Sequence, residues 1–200
     1  MDDRPTLVTL DVEGVLVPEI WVAVAERTGI EELRRTTRDE PDYDALMRGR
    51  LELLDRHGIG LSSITATIGE LAPLPGAVEF LAALRARTQV VLLSDTFAEF
   101  AGPLMAQLGW PTILCHNLEL DGDRIVGYRM RLPDQKRQAV LAFQALGYRV
   151  LAGGDSYNDV SMLLAADAGF LFRAPEWVRA EFPQFPAFDT YDALLAALLA

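Results

Sequence analysis

The 200-residue sequence has a single cysteine, two histidines and a shortage of positive charge. Because a disulfide needs two thiols, Cys115 cannot form one within the chain, and such sparse use of cysteine is typical of a reducing compartment. Eighteen lysines and arginines against 29 aspartates and glutamates give a net charge of −11. This excess of negative charge argues against nucleic acid as a partner and against an anionic membrane surface.

The sequence also lacks any apolar run long enough to span a membrane. Its first five residues are acidic where a secretory signal would be basic. We therefore expect a cytoplasmic protein with no membrane partner. Half of the residues are hydrophobic, which is enough to bury one domain, or one domain with a small insertion. Nothing in the sequence indicates an oligomeric state.

Short apolar runs that are typical of buried strands alternate along the chain with segments of helical periodicity. The first strand lies within residues 6–17, and more are predicted at 89–94, 112–115, 149–152 and 168–172. The tripeptide Asp121-Gly122-Asp123 between two apolar runs indicates a hairpin. This alternation predicts an α/β fold, a Rossmann-like doubly wound parallel sheet with helices on both faces.

Residues 17–73 interrupt the alternation, because they contain helical patterns but no convincing strand. The run Pro73-Leu74-Pro75-Gly76 marks the return to strands and helices in turn. We therefore predict a small helical insertion, or cap, over 17–73, set into a core formed by 1–16 and 74–200. One cap helix carries Arg50 on an otherwise apolar stripe. An arginine there needs a partner or an anionic ligand, unless its long side chain reaches solvent.

Acidic, hydroxyl and cationic residues stand where the predicted strands end or the next helices begin. Six of them are prominent: Asp11, Glu13, Ser94, Lys136, Asp155 and Asp159. Because the carboxyl ends of parallel strands meet at one edge of a sheet, we expect these side chains to lie together. Two charges about 4 Å apart repel by about 4 kcal/mol at an effective dielectric constant near ~20. Clustered carboxylates therefore need a counter-ion.

A hard divalent cation would meet that need, and oxygen ligands with few histidines favour Mg²⁺ over Zn²⁺. A carboxylate beside Mg²⁺, with a lysine and a hydroxyl to hold phosphate, is typical of phosphoryl transfer. Asp11 is then the candidate nucleophile, which would form an aspartyl-phosphate. Glu13, two residues on and on the same face of the strand, is the candidate acid and base.

The order and spacing of these motifs resemble the four signatures of haloacid dehalogenase-type phosphatases. They are Asp-x-Glu-Gly-Val at 11–15, Ser94, Lys136 and Gly-Asp-Ser-x-Asn-Asp at 154–159. The helical insertion is similar to the small cap of the phosphoserine phosphatase branch. The runs 15–21, 93–97 and 181–186 resemble the members of that branch that also transfer phosphate to homoserine. The resemblance covers nearly the whole chain.

The resemblance implies a role for each matching residue. Asp11 corresponds to the nucleophile and a Mg²⁺ ligand, and Glu13 to the acid and base group whose backbone carbonyl also meets the metal. Asp155 matches the second metal carboxylate, while Asn158 and Asp159 match the groups that complete or orient the metal site. The expected reaction uses phosphoserine as donor, with water or homoserine as acceptor.

The resemblance also implies how the substrate is held. Ser94 corresponds to the hydroxyl that binds the phosphate, and Lys136 to the lysine that neutralises it. In the cap, Glu19 and Arg50 resemble the pair that grips the ammonium and carboxylate of phosphoserine. Tyr43 falls where that pocket has an aromatic ring.

Two departures from the family pattern bear on the choice of acceptor. Glutamate replaces the usual aspartate at position 13, which lengthens the acid and base arm by one methylene. Asp95 and Thr96 stand where ordinary phosphoserine phosphatases tend to carry glycines, beside the phosphate. Both departures fit a transferase variant, and they leave the ratio of hydrolysis to transfer open.

Other functions remain possible on the same residues. A non-catalytic phospho-aspartyl receiver also gathers acids, a hydroxyl and a lysine on a doubly wound sheet, although the cap and the pair at 155–159 disfavour it. A phosphatase of the same family with another small phosphate ester is a further alternative. A dinucleotide-binding fold is less favoured, because no Gly-x-Gly-x-x-Gly follows the first strand.

Overall fold

A computed structural model describes residues 3–36, 39–40 and 42–200. In this part of the chain the strands form one seven-stranded sheet: β1 (Thr6–Leu10), β2 (Gln89–Phe97), β3 (Thr112–Asp121), β4 (Arg124–Arg129), β5 (Arg149–Gly154), β6 (Ala168–Phe172) and β7 (Ala187–Phe188). Their order is β4-β3-β2-β1-β5-β6-β7. All neighbours are parallel except the antiparallel pair β3 and β4. The predicted α/β fold with a Rossmann-like parallel core is confirmed.

The α-helices of the described residues are α1 (Ile20–Thr28), α2 (Tyr43–His57), α3 (Leu61–Gly69), α4 (Ala77–Arg85), α5 (Ala98–Gln107), α6 (Gln135–Ala145), α7 (Val160–Ala165), α8 (Glu176–Glu181) and α9 (Tyr191–Leu198). None of these helices is both long and apolar enough to cross a membrane. Short 3₁₀ helices occupy Glu31–Arg34 and Tyr157–Asp159.

Successive side chains of the central strands enter two apolar clusters, one on each face of the sheet. In β1, Leu7 belongs to the cluster that contains side chains of α6, α7 and α8. Val8 and Leu10 belong to the larger cluster. That cluster contains side chains of α1 to α5 and of α9. Because both faces are buried, these strands are continuous apolar runs in the sequence.

The three helices α1 to α3 lie between β1 and α4, in the stretch predicted to be the cap. The Leu74 N–H donates to the Leu16 carbonyl at 2.9 Å, so the segments that leave and re-enter the core run side by side. Trp21 of α1 packs edge-on against Phe100 of α5, with ring centroids 5.9 Å apart. The division at 17 and 73 stays a prediction, and residues 1, 2, 37, 38 and 41 lie outside the described part of the chain.

The β3–β4 hairpin reaches the predicted cap through its turn. Asp123 accepts hydrogen bonds from the backbone N–H and the hydroxyl of Ser62, both at 2.7 Å, at the start of α3. Arg124 forms an ion pair with Asp55 of α2 at 2.7 Å. Both contacts are exposed, so solvent screens them, but together they link the hairpin to two helices.

Candidate active site

A cavity of about 230 Å³ opens at the carboxyl ends of β1, β2 and β5. It brings together every residue predicted for the site except Asp159, which is buried behind its wall. The lining residues are Asp11, Glu13, Glu19, Trp21, Thr36, Tyr43, Leu46, Arg50, Ser94, Asp95, Thr96, Lys136, Asp155, Ser156, Tyr157 and Asn158.

Asp11 directly follows β1 and is held by the sheet itself. Its N–H donates to the Gly153 carbonyl at 3.0 Å, which extends the β1–β5 ladder by one residue. The chain then turns at Gly14, whose φ of +79° is in the left-handed region. A β-carbon on Gly14 would lie 2.3 Å from a carboxylate oxygen of Asp155. Glycine is therefore required for the two acidic segments to approach each other.

Three carboxylates converge at this edge of the sheet. Asp11, Asp155 and Asp159 each contribute one oxygen to a group whose atoms all lie within 4.8 Å of one another. Lys136, at the start of α6, places its ammonium 2.9 Å from Asp11 and 2.7 Å from Asp159. The lysine side chain is 3% exposed, so this ion-pair cluster is largely removed from water.

Asp159 fixes the shape of the loop that carries Asp155. One oxygen accepts the N–H groups of Asp155 and Ser156 at 3.0 and 3.1 Å, and the other accepts the Lys136 ammonium. The bond from the Ser156 N–H is one half of the capping box at the start of the 3₁₀ turn, and the Ser156 hydroxyl accepts the Asp159 N–H in the other half. Asp159 therefore acts on the cluster both as a charge and as the support of its neighbour.

The cluster carries more negative charge than Lys136 can neutralise. Burial and repulsion from Asp159 raise the pKa of Asp11 well above its ordinary value. Burial would lower the pKa of Lys136, but the charges of Asp11 and Asp159 raise it well above its ordinary range. A buried all-carboxylate donor set with surplus negative charge fits a hard divalent cation such as Mg²⁺. The residues present are therefore compatible with the cofactor predicted from the sequence.

Ser94 and Thr96 lie near the carboxyl end of β2, where they line the cavity, and both are buried. The Ser94 hydroxyl accepts the N–H of Thr96 at 3.2 Å. Gln135, which is 2% exposed, donates from its side-chain amide to the Ser94 carbonyl at 2.6 Å. A hydroxyl and nearby backbone N–H groups are suitable donors for a phosphate.

Asp95 contacts four side chains around the cavity. It accepts Gln135 at 3.1 Å and Asn158 at 3.0 Å, and lies 3.8 Å from the Lys136 ammonium and 3.6 Å from Nε2 of His116. Burial alone would raise the pKa of Asp95, but the charge of Lys136 and hydrogen bonds from these partners bring it well below its ordinary value. The side chain is therefore ionised.

Glu13 lines the same cavity and contacts the predicted cap. Its carboxylate accepts the N–H of Ile20, in the first turn of α1, at 2.9 Å. Burial and the nearby charge of Glu19 raise its pKa to about 8. A carboxyl group that keeps its proton near neutral pH can act as a general acid. Glu19 itself is the exposed residue that precedes α1.

Arg50 is buried on α2, as its position on the apolar stripe predicted, and it faces the cavity rather than solvent. Its guanidinium stacks on the Trp21 ring at 4.4 Å and donates to the Arg35 carbonyl at 2.7 Å. The Nε atom is buried without a hydrogen-bond partner among the described residues. Burial lowers the pKa of Arg50 to about 10, and the positive charge of Arg50 persists at neutral pH.

Tyr43 begins α2 and connects it to β2. Its hydroxyl donates to the Asp95 carbonyl at 3.2 Å. Burial raises the pKa of Tyr43 above its ordinary value, so the phenol stays protonated. The ring lies edge-on to that of His116, with centroids 6.4 Å apart. The sequence analysis did not identify His116, Gln135 and Trp21 as members of the site.

A sequence model of the haloacid dehalogenase-like hydrolases matches residues 5–167. The chain belongs to the haloacid dehalogenase-like hydrolase family. Two relatives are each 63% identical to it over 186 residues, or 92% of its length. One is the phosphoserine phosphatase ThrH of Pseudomonas aeruginosa, of which 91% is covered. The other is a phosphoserine phosphatase of Pseudomonas syringae pv. tomato, of which 78% is covered.

Solved structures of phosphoserine phosphatases share the fold. The phosphoserine phosphatase of T. onnurineus superposes with a TM-score of 0.77 at 24% identity, covering 100% of this chain and 98% of that one. A substrate-bound phosphoserine phosphatase complex gives a TM-score of 0.78 at 19% identity and covers 96% of both chains. At these identities the similarity supports the architecture alone.

Proposed function

We propose that this protein is a Mg²⁺-dependent phosphoserine phosphatase that forms an aspartyl-phosphate on Asp11. One observation carries the proposal: the carboxylates of Asp11, Asp155 and Asp159 converge within 4.8 Å beside Lys136, in a cavity that Ser94 also lines. The names of two relatives at 63% identity support phosphoserine as the substrate.

Asp11 and Asp155 would hold Mg²⁺, together with the backbone carbonyl of Glu13, and Asp159 would orient or complete the set. When bound, the ion neutralises the clustered carboxylates and withdraws charge from the phosphoryl oxygens. Lys136 and the Ser94 hydroxyl would hold the remaining phosphate oxygens. Their burial makes each of these interactions stronger than it would be in water.

The first half of the reaction transfers phosphate to the protein. A carboxylate oxygen of Asp11 forms a bond to phosphorus as the bond from phosphorus to the serine oxygen breaks. Glu13 donates its proton to the departing oxygen, so serine leaves as a neutral alcohol. A pKa of about 8 supports this role, because Glu13 then carries a proton at neutral pH.

The second half regenerates Asp11. Glu13, now ionised, removes a proton from water or from the hydroxyl of homoserine, and that oxygen bonds to phosphorus as the aspartyl bond breaks. With water the products are phosphate and the free enzyme, and with homoserine the product is its phosphate ester. The ThrH name of the Pseudomonas aeruginosa relative is compatible with the second acceptor.

The amino-acid part of the substrate would lie against the cap. Arg50 has one buried donor without a partner, Nε, and a fixed guanidinium, which suits the carboxylate of phosphoserine. Glu19, exposed at the start of α1 and lining the same cavity, would bind the ammonium group. Tyr43 of the predicted cap and Asn158 of the core would border the substrate, with Asp95 and Thr96 beside its phosphate.

The direct test is phosphate release from phosphoserine by the purified 200-residue chain, with and without Mg²⁺. We expect many turnovers per molecule with the metal, and none for Asp11→Asn, which should keep the fold of the parent. A single round of phosphorylation without release would indicate the receiver alternative instead. A preference for another small phosphate ester over phosphoserine would retain the reaction class and change the substrate.

Transfer is tested by supplying phosphoserine and homoserine together and identifying the products. We expect homoserine phosphate in addition to inorganic phosphate. If homoserine leaves the amount of inorganic phosphate unchanged and no ester forms, the protein is a hydrolase only.

A further inference from the structure

The end of β2 that faces the candidate active site is a bulge. Between Leu93 and Phe97 the pairing of β2 with β3 shifts register, so that three residues of β2 oppose one residue of β3. The paired stretch of β2 with β1 ends before this point. Residues 94–96 are therefore held by neither neighbouring strand in a regular register. Bulges next to active sites re-aim side chains, and this one carries Ser94 and Thr96, which line the cavity.

Two side chains from outside the sheet bond to the backbone of this bulge. The Gln135 amide donates to the Ser94 carbonyl at 2.6 Å. The Tyr43 hydroxyl donates to the Asp95 carbonyl at 3.2 Å. Buried carbonyls need a donor, and a bulge disrupts the ladder that normally supplies one. Because the Gln135 amide also donates to the Asp95 carboxylate, at 3.1 Å, it holds both the backbone and a side chain of the bulge.

Arg131 determines which end of the Gln135 amide faces the bulge. Its guanidinium donates to the amide oxygen at 2.7 Å. A guanidinium has donors only, whereas a carbonyl and an ionised carboxylate only accept. The amide oxygen must therefore face Arg131, and the NH₂ group must face Ser94 and Asp95. In this orientation all three contacts pair a donor with an acceptor.

Gln135 lies behind the candidate active site rather than in it. The residue is 2% exposed and is not among the described residues that line that cavity. It is the first residue of α6, and Lys136 is the second. The same helix end therefore supplies the lysine of the site and the amide that holds the neighbouring strand.

We propose that Gln135 is a positioning residue for phosphate binding, which acts through the bulge at 94–96, and that Arg131 fixes its amide. This role rests on the proposed phosphatase function and deepens it. Without the amide, the Ser94 carbonyl is left buried and unpaired, which is costly. The bulge, which has no regular ladder to hold it, then shifts to give that carbonyl a new donor. The Ser94 hydroxyl moves with it, and the phosphate loses a contact.

The decisive measurement is calorimetric binding of inorganic phosphate to the 200-residue chain with Mg²⁺. Gln135→Met keeps the length of the side chain but removes both amide donors. We expect phosphate to bind about tenfold more weakly to this variant, because a displaced Ser94 hydroxyl no longer donates to it. Gln138→Met, at an exposed position of the same helix, is the matched control and should leave the affinity unchanged. An unchanged affinity in Gln135→Met overturns the inference.

Steady-state kinetics separate positioning from a purely structural role. If Gln135 positions the phosphate contacts, the KM for phosphoserine rises in Gln135→Met by the same factor as the dissociation constant of phosphate. If it only supports folding, fewer molecules are active, so kcat falls while both constants keep their parent values, and the inference is overturned.

A second variant covers the case in which Gln135→Met does not fold. Gln135→Asn keeps a neutral amide but shortens the side chain by one methylene, so the amide no longer reaches Ser94 and Arg131 together. We expect the same rise in the phosphate dissociation constant and in the KM for phosphoserine. Parent values of both constants in this variant also overturn the inference.

A double-mutant cycle tests the part assigned to Arg131. We expect Arg131→Met to weaken phosphate binding in the parent but to have almost no effect in Gln135→Met, because residues that act through each other are not additive. Equal losses in the two backgrounds would mean that Arg131 acts through its charge and would overturn its assigned role.

These outcomes can be told apart from failure of the proposed function. If phosphoserine releases no phosphate while Gln135→Met still weakens phosphate binding, the proposed function fails and the positioning role stands. If phosphoserine is hydrolysed but phosphate affinity does not depend on Gln135, the function stands and the positioning role is wrong. Absence of phosphate binding by the unmodified chain with Mg²⁺ also overturns the positioning role.

Discussion

Replacing Arg50 with alanine tests whether the cap recognises the carboxylate of phosphoserine. The side chain is 7% exposed. One of its donors is bonded to the Arg35 carbonyl at 2.7 Å, another lies 3.6 Å from the sulfur of Met47, and Nε has no partner among the described residues. The guanidinium plane is further held by the Trp21 ring. The guanidinium is thus held in place without substrate, and its Nε–H remains available to donate to a ligand.

The size of the effect follows from what the substrate would gain. A hydrogen bond to a charged group is worth about 1.5–3 kcal/mol, and each ~1.4 kcal/mol is a factor of about ten in an equilibrium constant. Arg50→Ala should therefore raise the KM for phosphoserine by roughly 10- to 150-fold. For phosphoethanolamine, which lacks only the carboxylate, the change should be less than about threefold.

The assay is steady-state phosphate release for both substrates with Arg50→Ala, Arg50→Lys and Arg48→Ala. Arg48 is exposed on the same helix, so its variant controls for loss of charge. Arg50→Lys keeps the charge but not the planar fork, and an intermediate loss is expected. Equal losses on the two substrates would refute carboxylate recognition. They would indicate instead that Arg50 supports the cap through its contact with Trp21.

Three more predictions concern the supports of the site and of the sheet. Gly14→Ala should lower kcat/KM by about 100-fold, because the new β-carbon would lie 2.3 Å from a carboxylate oxygen of Asp155 and must displace that carboxylate. A kcat/KM within about threefold of the parent value would contradict this prediction. Mg²⁺ at ~100 times its Kd should stabilise the parent by about 2.7 kcal/mol, and thermal unfolding of Asp155→Asn should show less than half of that gain. Partial burial would raise the pKa of Asp167, but the N–H of Val150, at 2.8 Å, and Arg4 lower it. The stability that this carboxylate contributes is therefore present above the pKa of the unfolded chain and is lost as pH falls through the pKa of the folded state. Denaturant unfolding of Asp167→Asn should show a loss of stability at pH 7 that disappears in acid; a loss that does not change with pH would contradict this.

The residues that end strands were predictable from the sequence. Three of them, Asp11, Ser94 and Asp155, follow buried apolar runs. In a parallel sheet the residues at the carboxyl ends of the strands lie at the same edge, irrespective of the loop conformations. Lys136 was predicted at a helix start and lies in the first turn of α6. The carboxylate cluster was thus inferable from topology alone, while the roles of its members stay predictions.

The extent of several elements was not predictable from periodicity. β2 continues through 94–96 to Phe97, and β3 continues to Asp121, well past the predicted end at residue 115. The added residues of β3 are partly polar and gain their partners from β4, a tertiary interaction that local sequence does not encode. α8 and β7 were missed, because six- and two-residue elements beside a proline-rich run carry little periodic signal.

The partners of Asp95 show a different limit. His116 lies beside the predicted hairpin, and its buried ring accepts a backbone N–H, as a structural residue would. No spacing in the sequence reveals that its other nitrogen lies 3.6 Å from Asp95, within the stretch where the register between β2 and β3 shifts. Asp95 also accepts hydrogen bonds from Gln135 and Asn158, which belong to other elements. A carboxylate that local sequence makes an ordinary strand-end acid thus contacts side chains of β3, α6 and the loop after β5, and only the tertiary fold brings these partners together.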